Sequence, residues 1–427
     1  MTELSQAKPP LPGVPLEQVD VIDFLAGIAP GDWLDQLRRA RPETRAQAQK
    51  SHEALFSPTA PVVGQVSRAE RHAVAAFVSL LHQQAEAADW HLQLLQELSP
   101  HWFEAVRHAA AAGATQGPYG HFPAGPLTAE DQDGTALQLS QALRAVLGER
   151  LHAALLHAHF LVFHPRDADP QRVRALEAAG WQADDIVVLS QLVAFLSFQL
   201  RVVDGLRVLA AGWQVEPGPA VRRTASQQGA AAAVATPVPG AEPVVFTQAE
   251  LQWQPWLAPL DEGALTPRHL DGLVDASRAK SPYFRLLARD PDTLGARTRT
   301  DKDIFYNPAA GLPRAERELA AAATSRYNGC IYCASVHARF ASHFSHRKDD
   351  VQRLLDEGVQ ADLGARWNAI VDASVALTAT PQRLEVAHVA ALRAQGLDAQ
   401  AAADLVHAAA FFNWANRLML SLGAPRY

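Results

Sequence analysis

Apolar residues recur at spacings of three and four along most of the chain, the period of an amphipathic helix. In VQRLLDEGV (351–359), Val351, Leu354 and Leu355 share one helical face. In AAADLVHAAAFFNWANRLMLSLG (401–423), Leu405, Ala408, Ala409, Phe412, Ala415 and Leu418 do the same. Long alternating β-branched runs are missing, and alanine-rich helices approach closely, so the pattern predicts compact all-α bundles. The most apolar window, IVVLSQLVAFLSFQL (Ile186–Leu200), contains Ser and Gln. At about 15 residues it falls short of the roughly 20 needed to span a bilayer, and it reads as a buried helix.

Two stretches break the pattern. Residues 1–16 are Pro-rich and expected to be loose. Residues 217–245, including PGPAVRRTASQQGAAAAVATPVPGAE, lack a helical period and read as a linker. The 427 residues thus divide into a 17–216 unit and a 246–427 unit, each long enough for its own core. The units also resemble each other. Ser67–His91 aligns without gaps on Pro313–His337, matching Arg68-Ala69-Glu70-Arg71 to Arg314-Ala315-Glu316-Arg317 and His91 to His337. Ala175–Arg201 parallels Ala391–Arg417, with Gly180 on Gly396, Phe195 on Phe411 and Arg201 on Arg417. Between His91 and Gly180 the first unit carries extra residues, including a Gly/Pro-rich loop.

The chain carries 38 Lys+Arg against 45 Asp+Glu, a formal charge of −7. With no basic block, it lacks the clustered cations that nucleic acids and anionic membranes require. The N-terminus shows no charged segment followed by an apolar stretch, so no signal peptide is read, and a cytoplasmic location is expected. Two cysteines exclude a disulfide-stapled scaffold and a four-thiolate metal site within one chain. They are Cys330 and Cys333, and both fall in the second unit, opposite Gln84 and Ala87. Glu318 stands opposite His72 and is likewise particular to the second unit.

The local sequence RAERELAAAATSRYNGCIYCASVHARFASHF predicts a helix from Pro313 to about Tyr327, a stop at Asn328-Gly329, and a new helix from Ile331 to Phe344. Cys330 then lies at a helix N-terminus, where free N–H groups and the dipole favour a thiolate and lower its pKa below roughly 8.5. Cys-x-x-Cys spacing lets the thiols face each other. His337 lies one turn after Cys333 on the same face. Glu318, twelve residues before Cys330, folds back across the reversal as a proton acceptor.

Glu318, Cys330, Cys333 and His337, with the surrounding DKDIFYNPAAGLPRAERELAAAATSRYNGCIYCASVHARFASHFS and the ending FFNWANRLMLSLG, resemble the alkylhydroperoxidase D-like members of the carboxymuconolactone decarboxylase superfamily. The resemblance is detailed over 246–427 and extends to the first unit only as a diverged copy. It implies an all-α fold of two tandem alkylhydroperoxidase D-like bundles, the first without thiols. It also implies thiol peroxidase chemistry. Cys333 attacks peroxide, Cys330 resolves the sulfenate to a disulfide, Glu318 and His337 relay protons, and a dithiol donor reduces the disulfide. No metal, haem or flavin is implied, and a homo-oligomer, trimeric or hexameric in domains, is expected. Tyr332 departs from the best-known members, which often carry His there; it is an auxiliary hydrogen-bond donor and a poor relay near neutrality.

Rival readings exist for each residue. The cysteines are also readable as buried small hydrophobes, or with His337 and His343 or His346 as a zinc site. His337 has the thiol-free counterpart His91, which suggests a partly structural role, and Glu318 is readable as a first-turn helix acid. Arg317, Arg417 and Glu316 recur in both units and read as scaffold in one buried ion-pair network. Asn413, Trp414 and Asn416 lack identical partners in the first unit and read as pocket or subunit-contact residues. The first unit reads as a pseudo-subunit, ahead of a substrate-binding module or a thiol-free active domain. At the level of function, a carboxymuconolactone decarboxylase-like lyase and a non-catalytic redox-sensing or assembly protein are the alternatives.

Overall fold

The structure, a computed structural model, describes residues 20–60, 62–218 and 238–427. The expected loose tail over 1–16 and residues 219–237 of the expected linker lie outside the described residues. The N-terminal half contains α1 (Val21–Ala26), α2 (Trp33–Arg39), α3 (Pro42–Phe56), α4 (Arg68–Leu81), α5 (Ala85–Leu98), α6 (Pro100–Gly113), α7 (Gln141–Phe163, broken at Gly148), α8 (Pro170–Ala178) and α9 (Ala183–Trp213). After β1 (Gln252–Pro255), the C-terminal half contains α10 (Pro267–Leu273), α11 (Pro282–Leu287), α12 (Pro291–Tyr306), α13 (Arg314–Asn328), α14 (Ile331–Ser345), α15 (Lys348–Glu357), α16 (Ala365–Thr378), α17 (Val386–Ala394) and α18 (Ala399–Leu422). The last residues form β2 (Gly423–Arg426), antiparallel to β1, with Trp253 opposite Pro425. Among the described residues the chain is all-α apart from this pair.

Local chemistry sets the helix starts. Ser67 and Glu70 form a capping box on α4, each side chain satisfying the other's backbone N–H. Proline opens α3, α6, α8, α10, α11 and α12, where its missing N–H has no intrahelical partner to lose.

The same contacts recur in both halves. Arg71 donates to the carbonyls of Val66 and Leu55; Arg317 donates to those of Leu312 and Ile304. Glu70 pairs with Arg150, and Glu316 with Arg366. These arginines, with Arg417, do not form the single ion-pair network expected. Arg317 and Arg417 mainly hold backbone carbonyls, because a guanidinium's five donors are easily shared among several buried acceptors.

The buried core is continuous from one half to the other. Helix α9 lies along α18. A Cβ on Gly205 would come within 2.5 Å of Val406 Cγ1, so a side chain there would force the two helices apart. Arg201 on α9 donates to the carbonyls of Leu377 and Thr378 at the end of α16, at 2.9 and 2.8 Å. In return Arg417 on α18 donates to Val162 O at the end of α7. Trp414 Nε1 donates to Gln191 Oε1, and Arg41 pairs with Asp404; both contacts are buried. Helix α9 extends 13 residues past Leu200 to Trp213, longer than the apolar window suggested. It is long and apolar enough to cross a membrane, but its most apolar window is entirely buried by its neighbours. Residues 238–245, read as the end of the linker, are pinned: Gly240 N donates to Tyr427 O and Tyr427 N to Ala241 O.

The N-terminal core carries a histidine cluster with a stability consequence. His52, His72 and His91 stack around Phe56 and Trp90. Burial pushes His52 and His72 down to about 4, and His91 well below its ordinary value. Arg68 and Arg71 push His72 down further, while Gln199 and Asp20 oppose the shift at His52. The unfolded chain therefore binds protons that the folded cluster refuses. Stability is full above about pH 6.5 and falls as pH drops toward 4, by up to ~1.4 kcal/mol per unit per histidine. Asp290, pushed up to about 6 by burial, acts in the opposite sense. Denaturant midpoints between pH 7.5 and 5 should fall, and His72→Phe should flatten the slope; an unchanged slope in that variant would discount the cluster.

Candidate active site

The site is built on the reversal between α13 and α14. Helix α13 ends at Asn328, and Gly329 takes the left-handed conformation (φ 82°) that lets the chain turn back. A Cβ there would lie 2.3 Å from Arg166 Cγ, so glycine is required for space as well as for backbone. Buried amides lock the turn. Asn328 Nδ2 donates to Asn416 Oδ1 at 3.0 Å and Asn413 Oδ1 at 3.3 Å, while Asn416 Nδ2 donates to Ser325 Oγ at 3.0 Å. The predicted helix bounds here match the structure to within a residue.

Cys330 occupies the N-cap of α14 and Cys333 its first turn. Both are free thiols, 1% and 5% exposed. The expectation of a lowered thiol pKa does not hold for Cys330. Burial pushes it well above the ordinary thiol range and the Cys333 sulfur adds to this; the Cys333 N–H and the Asn416 side chain oppose the shift only in part. Desolvation outweighs the helix terminus because the sulfur is almost wholly enclosed by protein atoms.

Glu318 projects from α13 and is fully buried. Its Oε2 lies 2.5 Å from His337 Nδ1, and its Oε1 accepts from Arg314 Nε at 2.5 Å. A carboxylate on Nδ1 fixes that nitrogen as the N–H, leaving Nε2 free to accept a proton. The ring of Phe412 packs edge-on against His337 with centroids 4.0 Å apart. Glu318 therefore lies past the first turn and has a specific partner, unlike a simple helix-end acid. His337 follows Cys333 by one turn of α14, as the spacing predicted.

Tyr332 is half-buried beside the thiols, and burial raises its pKa. Sequence reasoning missed Tyr283, Asp301 and Arg297. The Tyr283 hydroxyl is buried without a hydrogen-bond partner; burial raises its pKa, and both cysteines act on it in the same direction. Asp301 is raised by burial and lies within electrostatic reach of Arg297, His337 and Glu318. Tyr283 and Arg297 come from α11 and α12, upstream of the segment that carries the resemblance, and Asp301 is the first residue of that segment, where nothing in the pattern singles it out. Asn416 belongs to the thiol site, Asn413 supports the turn, and Trp414 bridges the halves. His343 and His346 lie ten and thirteen residues beyond Cys333, with α14 running to Ser345. At 1.5 Å per residue that is about 15–20 Å along the axis, beyond any shared zinc.

A cavity of about 50 Å³, room for a few waters, reaches Cys330. Its walls come from both halves: Phe122 and Arg166 from the first, Trp253, Tyr332 and Met419 from the second. It adjoins an open vestibule of about 540 Å³ that includes Arg166 and Arg172.

The corresponding place in the N-terminal half holds different chemistry. His72 Nδ1 lies 3.1 Å from His91 Nδ1, where the second half has Glu318 and His337. Gln84 and Ala87 replace the thiols, and the Gln84 amide bonds Asp204.

Residues 291–376 match the carboxymuconolactone decarboxylase family. The match runs from α12 into α16 and takes in Glu318, Cys330, Cys333 and His337, so this segment of the C-terminal half is similar to that family. No curated protein matches the chain.

Proposed function

We propose that the protein is a thiol-dependent hydroperoxide reductase whose centre is the Cys330/Cys333 pair. The observation that carries this reading is the hydrogen bond between the buried Glu318 and the partly buried His337, one helical turn from Cys333, at a vicinal dithiol. His337 Nε2 accepts the Cys333 proton. The thiolate attacks the terminal oxygen of ROOH, the O–O bond breaks, and ROH leaves with a proton returned through His337. The resulting Cys333 sulfenic acid condenses with Cys330, forming the disulfide and water. Two thiol equivalents from a reductant then restore the pair by exchange. The raised pKa of Cys330 keeps it a neutral thiol until the sulfenate forms beside it.

The electrons pass through sulfur alone, so the cycle draws on no bound metal or cofactor, and a reducing compartment such as the cytoplasm suits the resting dithiol. The N-terminal half acts as a degenerate copy that covers the site, and copies of the chain associate as homo-oligomers.

Mass spectrometry after one equivalent of peroxide should find a Cys330–Cys333 disulfide; two unmodified thiols would overturn the reading. Glu318→Gln removes the charge that holds the His337 tautomer and should lower turnover by about 10²–10³-fold while the pair still oxidises slowly. A lyase of the decarboxylase type would keep its activity in the Cys330→Ser/Cys333→Ser double variant. A redox sensor would form the disulfide without turnover.

A further inference from the structure

The cavity beside the thiols is asymmetric. It touches Cys330, Ile331 and Tyr332, whereas Cys333 and His337 do not line it. Its inner part is narrow and its mouth wide, so it admits a slender group attached to something larger. The N-terminal half supplies the charged wall. Arg166 packs over Gly329, donates to the carbonyls of Glu130, Pro118 and Tyr327, and lies over the Phe122 ring. Its Nε is buried and has no partner. Burial and nearby Arg326 lower its pKa to about 10. A desolvated guanidinium with a spare donor favours an anion.

The acids around the mouth are already engaged. Asp167 accepts from His121 and His164, Asp169 caps α8 and lies near Arg172, and Glu242 pairs with Arg426. Arg172 stacks on Phe160 with its Nε on Asp167 O, facing the vestibule.

We propose that this cleft is the entry for the reductant, and that the reductant is a low-molecular-weight thiol carrying a carboxylate, held by Arg166 and Arg172. The assignment rests on the Cys330–Cys333 disulfide of the proposed reaction. The incoming thiolate RS⁻ attacks Cys330 Sγ. The Cys330–Cys333 bond breaks, a Cys330–S–S–R mixed disulfide forms, and Cys333 leaves as thiolate and takes a proton. A second RS⁻ attacks the R-bearing sulfur, releasing RSSR and the Cys330 thiolate, which is protonated in turn. The sum is one protein disulfide plus two RSH giving two protein thiols plus RSSR. The N-terminal half, which has no thiol, thereby becomes part of the site.

The test uses the full chain oxidised with diamide, so that it does not depend on peroxide. Reduction rates are compared for 3-mercaptopropionate, 2-mercaptoethanol and cysteamine, each corrected for its thiolate fraction. The anionic thiol should react about tenfold or more faster than the neutral one, and the cationic thiol slowest. Arg166→Met should bring that ratio to about one, and Arg166→Lys should retain part of it. Arg172→Met, on the open rim, should reduce the ratio and provides the test if the buried Arg166 variant fails to fold. Acid-quenched mass spectrometry should place the mixed disulfide on Cys330. Equal rates for the three thiols, a ratio unchanged in both methionine variants, or a mixed disulfide on Cys333 would each overturn the proposal. A peroxide-treated protein that forms no disulfide would instead overturn the peroxidase reading.

Discussion

Cys333→Ser is expected to reduce peroxide consumption to background, a loss of about 10³-fold or more, because a serine hydroxyl is no nucleophile at neutral pH without far stronger activation. Cys330→Ser should behave differently. It leaves Cys333 and the Glu318–His337 pair in place, so one equivalent of peroxide is still consumed and a sulfenic acid accumulates. A sulfenate-specific label read by mass spectrometry separates the two variants. Retention of parental peroxide consumption in Cys333→Ser would remove the thiol mechanism altogether.

Glu130→Ala carries the largest expected effect on stability. Arg326 lies in the last turn of α13, four residues before Cys330. Its two terminal nitrogens donate to the Glu130 carboxylate at 2.7 and 2.6 Å, its Nε donates to Leu355 O at 3.0 Å, and both side chains of the pair are 1% exposed. Phe246 packs over the guanidinium at 4.2 Å. Removing the carboxylate leaves a buried cation without its counter-charge, which costs about 3–5 kcal/mol. Urea unfolding should show the loss. Glu130→Gln, which retains one acceptor oxygen, should lose less. A change below about 0.5 kcal/mol in Glu130→Ala would mean that water reaches Arg326 and relieves the charge.

The parts of the site legible in sequence are those fixed within one short segment. Pro313, Asn328-Gly329 and the Cys-x-x-Cys spacing determine where two helices stop and start, and the structure follows them closely. Glu318 and His337 meet because α13 and α14 pack side by side after the turn, which brings a position well before it against one well after it. The burial of Cys330 was not legible, because it depends on Trp253, Met419 and Arg166, which lie far away in the chain. Helix-end electrostatics, read locally, gave the wrong direction for its pKa; desolvation is a property of the whole surroundings. Tyr283 belongs to a short helix with no recognisable signature, and nothing in DKDIFY sets Asp301 apart from its neighbours. The Gly/Pro-rich insertion of the first half looked like an interruption between repeats. It supplies Glu130 to α13 and Phe122 to the wall of the Cys330 cleft, whose charged edge is Arg166 from the turn after α7.

The exchanged arginines have a consequence for how the chain is assembled. Arg201 is received by the end of α16 and Arg417 by the end of α7, so each half closes the other. Expressed as separate polypeptides, the halves would meet only as often as their concentrations allow, and each would turn its arginine and the apolar surface around it toward water until they did. One chain fixes their ratio at one to one and holds the partner at the millimolar effective concentration typical of a short tether. The thiol-free half then needs no activity of its own to be retained: it is the half whose loss would leave the half that carries Cys330 and Cys333 unable to fold shut.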